Sequence, residues 1–245
     1  QTGKMLMALE KVMLDEAPDV ALVYGDTNST LAGALAAAKL HIPVAHVEAG
    51  LRSFNREMPE EINRVLTDHM SDVLFCPTQI AVDNLEREGI ENGVWLTGDV
   101  MLDALLDNIE IDEEKSTILE RLGLSDEAYL LATVHRPGNT DNRENLGSIV
   151  QAFVEFEEPL VIPLHPRTEK ALKRFGLYAG LAEDDRVILT EPLGYLDFLK
   201  LERHARMILT DSGGVQKEAY FLRRPCITLR EETEWVETLE NGWNV

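Results

Sequence analysis

A chain of 245 residues is too long for one average domain and suits one large α/β domain or two smaller ones; two are expected here. Asp and Glu number 44 against 23 Lys and Arg, a formal net charge of −21, so the surrounding field repels polyanions and argues against nucleic acid as a partner. No apolar run approaches the roughly 20 residues that span a bilayer, and the opening "QTGKMLMALEKVMLDEAPD" is patterned as an amphipathic helix instead of a signal peptide, which predicts a soluble, cytoplasmic protein without a membrane partner.

After that first helix, short runs rich in Val, Ile and Leu alternate with longer helical stretches. Candidate strands lie at 19–25, 44–49, 72–77 and 94–98, then at 128–135, 160–165, 186–191, 206–211 and 225–229. The runs are continuous and not alternating, the pattern of strands covered on both faces by helices, and they predict parallel βαβ architecture. Between 99 and 125 the sequence turns acidic and helical with no strand signal, which predicts a boundary near 110: one domain over 1–109, a second over 110–245. The text opens inside a helix, supplies only four strands before that boundary, and stops at "NGWNV" where a strand starts. The expectation is a chain truncated at both ends, with an incomplete first sheet. Cys76 and Cys226 sit in apolar runs far apart in sequence with no His or Cys partner nearby, so buried free thiols are expected and no metal site.

In an open parallel sheet, ligands bind beyond the carboxyl ends of the strands, where the strand order reverses. Polar residues fall there repeatedly: Asp26 in "YGDTNST", Glu48 in "HVEAG", His135 and Arg136 in "TVHRPGN", His165 in "PLHPRT", and Ser212, Gly213 and Gly214 in "LTDSGGVQKE". The last motif is the most interpretable. Two glycines between a strand and a helix let backbone approach a ligand closely, and the exposed N–H groups of a first helical turn attract phosphate; an ordinary turn capped by Ser212 is the competing reading. Glu218, one turn along, either accepts from ribose hydroxyls or is a solvated helical Glu. Glu60 and Glu61 behind Pro59 also suit a helix first turn, where acids complement the dipole. Arg52 and Arg56 are read as partners of the acids, His46 as a packed histidine, His165 as an effector contact or a cap, and His41, His69 and His204 as ordinary helical or surface residues.

Taken together, "GDTNST", "HVEAGLRS" followed by "MPEEINR", "VHRPGN", "DSGGVQKE" and "REETEWVE" resemble the UDP-N-acetylglucosamine 2-epimerases, in particular the non-hydrolysing bacterial and archaeal branch, over essentially the whole chain. The resemblance implies two Rossmann-like domains facing across a cleft in the GT-B manner, a homodimer at full length, a UDP-sugar partner, and no metal or nicotinamide cofactor. It implies catalytic roles for Asp26, Glu48, Glu60 and His135, the last as an imidazolium beside departing phosphate. Ser212, Gly213 and Gly214 match the phosphate turn, Glu218 the ribose contact and Phe198 a residue beside uracil, with Arg136 as a further substrate-binding group. The implied reaction is reversible C2 epimerisation of UDP-GlcNAc to UDP-ManNAc, by elimination of UDP to 2-acetamidoglucal and its return. Two departures are visible: Trp235 in "TEWVE" stands where many bacterial members carry Arg in "TERPE", and "HRPGNTDNREN" replaces a compact "HRREN". The family's first strand, with its Gly-Thr-Arg-Pro-Glu motif, has no counterpart. Three other readings stay open: a 2-epimerase of a UDP-2,3-diacetamido-uronic acid, a hydrolysing 2-epimerase, and a nucleotide-binding fragment without turnover.

Overall fold

The computed structural model describes residues 1–230 and 233–245, and the chain forms two compact units, Gln1–Val100 and Met101–Val245. Glu231 and Glu232 of "REETEWVE" lie outside the described residues. The division precedes the expected 109/110 boundary because Val100–Lys115 is one continuous helix and position 110 lies within it.

The first unit runs α1 (Thr2–Glu16), β1 (Ala21–Tyr24), α2 (Asn28–Lys39), β2 (Val44–Val47), α3 (Pro59–Met70), β3 (Val73–Cys76), α4 (Gln79–Arg87) and β4 (Val94–Leu96). Its strands pair in parallel in chain order, β1-β2-β3-β4. Helix α2 starts at a capping box, in which Thr27 accepts from the Thr30 amide while the Thr30 hydroxyl takes the Thr27 amide. Its alanine-rich face then lets it lie close to the sheet: Ala34 and Ala37 pack on Ala21, Val23 and Val44, and a Cβ on Gly33 would stand 3.3 Å from Val23 Cγ1. Coverage is one-sided at β1. Leu22 and Tyr24, alternating with buried Ala21 and Val23, are 49% and 58% exposed, so the expectation of two covered faces fails at this strand.

The second unit comprises α5 (Val100–Lys115), α6 (Ile118–Leu122), β5 (Leu130–Thr133), α7 (Pro137–Thr140), α8 (Arg143–Glu155), β6 (Leu160–Pro163), α9 (Pro166–Phe175), α10 (Tyr178–Ala182), β7 (Val187–Thr190), α11 (Tyr195–His204), β8 (Met207–Thr210), α12 (Gly213–Phe221), β9 (Cys226–Thr228) and a 3-10 turn over Val236–Gly242. All five strands are parallel, in the order β7-β6-β5-β8-β9. Here the two-sided expectation holds. Along β5 and β6, Leu130, Ala132, Leu160 and Ile162 enter one core with Leu146, Phe153 and Leu172, while Leu131 and Val161 enter the other with Ile118, Leu201 and Ala219. The order reverses between β5 and β8, which puts the residues after those two strands at a switch point. Beside β9, Asn244 bridges in parallel to Cys226, with the Cys226 amide donating to the Trp243 carbonyl (2.9 Å), the Val245 amide to the Cys226 carbonyl (3.0 Å) and the Thr228 amide to the Val245 carbonyl (2.7 Å), the pairing expected of a strand starting in "NGWNV".

All nine candidate strands form, each shorter than its apolar run. Cys76 and Cys226 are both free and buried, and burial pushes each thiol up to about 12.

Gly50, at φ 81°, meets the requirement for glycine twice over, since a Cβ there would lie 2.3 Å from the Ala81 carbonyl oxygen. We expect Gly50→Ala to cost about 2 kcal/mol or more in denaturant unfolding. Gly147→Ala inside α8, where nothing lies within 4 Å, should instead add about 0.5–1 kcal/mol.

Candidate active site

In the first unit the acids gather at the carboxyl edge of the sheet. Gly25 (φ 61°) follows β1, and Asp26 comes next in the turn that leads into α2. Glu48 follows β2 directly, a non-glycine residue held at φ 69°. Such a backbone costs of order 1–3 kcal/mol and persists only where its surroundings enforce it. Its effect is to direct the carboxylate over the neighbouring turn: a Cβ on Gly25 would stand 3.2 Å from Glu48 Oε2. The structure therefore brings Glu48 against the turn that carries Asp26.

Glu60 occupies the first turn of α3, behind Pro59, and the next residue explains how that turn is fixed. Glu61 is buried and accepts from the Ser53 and Phe54 amides at 2.9 Å each. It also takes Arg64 Nη1 at 2.9 Å, and the other edge of that guanidinium holds Asp26 Oδ2, with Nε at 2.9 Å and Nη2 at 2.7 Å. A chain of charge-assisted bonds thus runs from the turn of Glu60 to Asp26. The expected pairing of arginines with acids appears in altered form: Arg52 binds Asp68 and Glu88, not the candidate catalytic acids.

In the second unit, His135, Phe198 and Ser212 line one cavity of about 190 Å³ together with Thr133, His165 and Val215. The loops after β5 and β8, on either side of the switch point, are locked together by Asp211. This fully buried carboxylate accepts from the His135 amide (2.9 and 3.0 Å), the Arg136 amide (2.9 Å) and Asn139 Nδ2 (2.9 Å). Burial pushes the His135 ring below the usual histidine range; Arg136, His165 and Arg167 push the same way, against the opposing pull of Asp211. Burial and the neighbouring basic groups therefore favour the uncharged form of the ring. His165 caps α9, its Nδ1 accepting the Arg167 amide at 3.1 Å, with its ring 5.5 Å from that of His135.

Ser212 does cap α12, accepting the Val215 amide at 3.4 Å. The amides of Gly213 and Gly214, at the first two helical positions, have no carbonyl to reach within their own helix. The glycine signal has a second source, however. A Cβ on Gly213 would fall 2.6 Å from Glu234 Oε1 and 3.3 Å from Trp235 Nε1, so this glycine is demanded by the segment packed behind the turn. Glu218 is not a solvated helical acid: it is buried, and its Oε1 accepts Tyr195 OH at 3.0 Å. Burial drives its carboxyl up, partly offset by that bond and by Lys217.

The family model for UDP-N-acetylglucosamine 2-epimerases matches residues 1–245. The chain belongs to this family. It is 56% identical to a UDP-N-acetylglucosamine 2-epimerase homologue of Methanococcus maripaludis, with all of this chain and 69% of that protein covered. It is 51% identical to the UDP-2,3-diacetamido-2,3-dideoxy-D-glucuronate 2-epimerase of Pseudomonas aeruginosa, covering all of this chain and 68% of that one. The crystal structure of Methanocaldococcus jannaschii UDP-GlcNAc 2-epimerase in complex with UDP-GlcNAc and UDP superposes with a TM-score of 0.92 at 53% identity, over 99% of this chain and 68% of that one.

Within the epimerase family, the substitution of Trp235 for the arginine of "TERPE" now has a physical reading. Trp235 is buried, with the Lys217 ammonium 3.6 Å from its ring centroid and Gly213 against its indole edge. Arg230 Nη2 reaches Glu234 Oε2 at 2.7 Å, and Gln216 is held between Thr233 and Thr238. The "TEW" segment is the back wall of the glycine turn in this chain. Sequence reasoning read Glu61 only as a first-turn acid and gave no role to Arg64, Asp211 or Glu202. Glu61, Arg64 and Asp211 lie inside motifs already singled out, whereas Glu202 carried no such signal.

Glu202 on α11 is fully buried, with neither carboxyl oxygen bonded, and burial followed by the charge of Glu218 raises it well above the usual carboxylate range. An acid raised by folding holds its proton more tightly in the native state, so its contribution is complete below the unfolded value of 4.5 and is lost as pH rises through the folded one. Glu202→Gln should therefore be more stable than the parent at neutral pH, with the difference closing as pH falls towards 4.5. Urea unfolding of both proteins at stepped pH checks this, and a constant difference would contradict it.

Proposed function

We propose that the protein catalyses reversible epimerisation at C2 of a UDP-linked 2-acetamido sugar, with UDP-GlcNAc and UDP-ManNAc as the pair. The observation that carries this reading is the placement of the Glu48 carboxylate against the Asp26 turn, in a chain of the 2-epimerase family. The C2 hydrogen has no adjacent carbonyl to acidify it, so direct deprotonation is slow. Stretching of the C1–O bond builds positive charge on the ring and makes that hydrogen acidic. One carboxylate takes the proton, the C–H electron pair becomes the C1=C2 bond of 2-acetamidoglucal, and the C1–O pair leaves with UDP. Return of UDP to C1, with a proton delivered to the opposite face of C2, completes the inversion. Asp26, Glu48 and Glu60 supply the proton carriers and negative charge beside an oxocarbenium-like centre. Ser212, Gly213 and Gly214 offer the turn for diphosphate, Arg136 a neighbouring cation, Phe198 a face for uracil and Glu218 a ribose acceptor. The neutral His135 is poised to gain a proton as negative charge accumulates on the leaving phosphate. We assign the active form to a homodimer of the full polypeptide, without metal or nicotinamide.

A second reading keeps the chemistry and changes the sugar to a UDP-2,3-diacetamido-uronic acid, favoured by the 51% identity to the Pseudomonas aeruginosa enzyme. Both are tested by incubating the full polypeptide that carries this sequence with each nucleotide sugar in D₂O and following the products by NMR. Deuterium at C2 in both intact epimers of UDP-GlcNAc is the expected result. Exchange only in the uronic acid substrate moves the assignment to the second reading, free ManNAc with UDP indicates hydrolysis, and no exchange in either sugar rejects epimerisation. Glu48→Gln should lower kcat by about 10²–10⁴; an unchanged exchange rate would remove Glu48 from the mechanism.

A further inference from the structure

His46 lies beneath the two acids with no exposed surface, and both of its ring nitrogens meet oxygen. Nε2 is 2.8 Å from the Gly25 carbonyl oxygen, in the turn that carries Asp26. A carbonyl only accepts, so Nε2 bears a hydrogen. Nδ1 is 2.7 Å from Asp68 Oδ1. The other oxygen of Asp68 accepts the Gly50 amide at 3.1 Å and Arg52 Nη1 at 2.7 Å, the bonding pattern of an ionised carboxylate. A neutral imidazole has one N–H and cannot satisfy two acceptors.

We infer that His46 is a doubly protonated positioning residue that donates one ring N–H to Gly25 and the other to Asp68, and so fixes the turns that carry Asp26 and Glu48 to helix α3. The functional half of this inference rests on the proposed roles of those two acids; the protonation half does not.

Charge balance supports the assignment. The charged and titratable groups linked to the ring through Asp68 are Arg52 from the loop after β2, Glu88 at the end of α4 and Cys76 from β3. Arg52 grips Glu88 through Nε–Oε1 at 2.7 Å and Nη2–Oε2 at 2.8 Å while also bonding Asp68. The Cys76 thiol, pushed up by burial and by Asp68 against the opposing effect of Arg52, carries no charge. Exposed Glu88 takes one edge of the Arg52 guanidinium, so buried Asp68 shares that cation, and a second ring proton on His46 gives Asp68 a partner of its own. Unmatched buried charge is among the most expensive defects a fold can carry.

The geometry links this network to both acids. Asp68 holds Gly50, two residues beyond Glu48, and through His46 it holds Gly25, one residue before Asp26. One helix side chain thereby sets the register of two loops that leave different strands.

The test begins with ¹⁵N-histidine-labelled protein at neutral pH. Both nitrogens of His46 should resonate as protonated, each coupled to its own hydrogen, and a spectrum showing one bare nitrogen would overturn the assignment. In Asp68→Asn the second hydrogen should no longer be retained. If that variant fails to fold, the parent spectrum alone decides the protonation. His46→Gln tests positioning: with cooperative thermal unfolding preserved, kcat should fall about tenfold or more while KM stays within about threefold. A parent-like kcat would overturn the positioning role. If the parent protein shows no epimerisation at all, the proposed function fails separately, and the spectrum still decides the state of the ring.

Discussion

Helix α3 presents its charged face to the protein and its apolar face to solvent, and the first unit's acidic site depends on that inversion. Glu61, Arg64 and Asp68 recur at spacings of three and four, so they share one face, and all three are buried. Ile62 and Leu66 on the other side are 43% and 46% exposed. Removing three charges from water is costly unless each finds an opposite partner and the remaining bonding positions are filled. Here Arg64 joins Glu61 to Asp26, and Asp68 joins Arg52, His46 and the Gly50 amide. His46 sits on β2, but Asp26, Gly50 and Arg52 sit on loops, which have no ladder of their own to fix them. The helix gains compensation for its buried charges only if the loops adopt one arrangement, and that arrangement places Glu48 over the Asp26 turn.

The second unit solves the same problem with a single acid. Asp211 faces inward at the end of β8 and collects three backbone and side-chain donors from the segment after β5. Both solutions place a buried carboxylate behind the candidate residues, and both spare those residues from holding themselves in position. Support from behind also accounts for Gly213, whose missing side chain leaves room for Glu234 and Trp235. A close backbone approach was legible from the pair of glycines. What approaches Gly213 in the folded chain is its own polypeptide, while the first-turn amides remain directed outward from the strand end.

The strands were readable because continuous runs of Val, Ile and Leu between polar turns admit few alternatives, and the site's outline followed from polar residues at the strand ends. Asp26, Glu48, His135 and Ser212 were singled out as candidates that way. The supporting residues were not, for a physical reason. Charged side chains are mostly exposed, so a helical stripe of Glu61, Arg64 and Asp68 reads as the solvent face, and its burial follows only from partners distant in sequence. Glu202 was hidden in the same way: "LDFLKLERH" gives no sign that this acid faces inward without a bonding partner. Acidic composition over 99–125 marks a surface helix but not where that helix begins. Positive φ at Glu48 was equally unreadable, since it is imposed by the turn and not by the residue.

Each of the two units has one cysteine, sealed and held in its un-ionised form. A thiol in that state is a poor nucleophile until water reaches it. An alkylating reagent would therefore record the opening of each unit separately, at Cys76 for one and at Cys226 for the other, with no engineered label. The packing that silences these sulfurs makes them paired clocks for how independently the halves of the chain breathe.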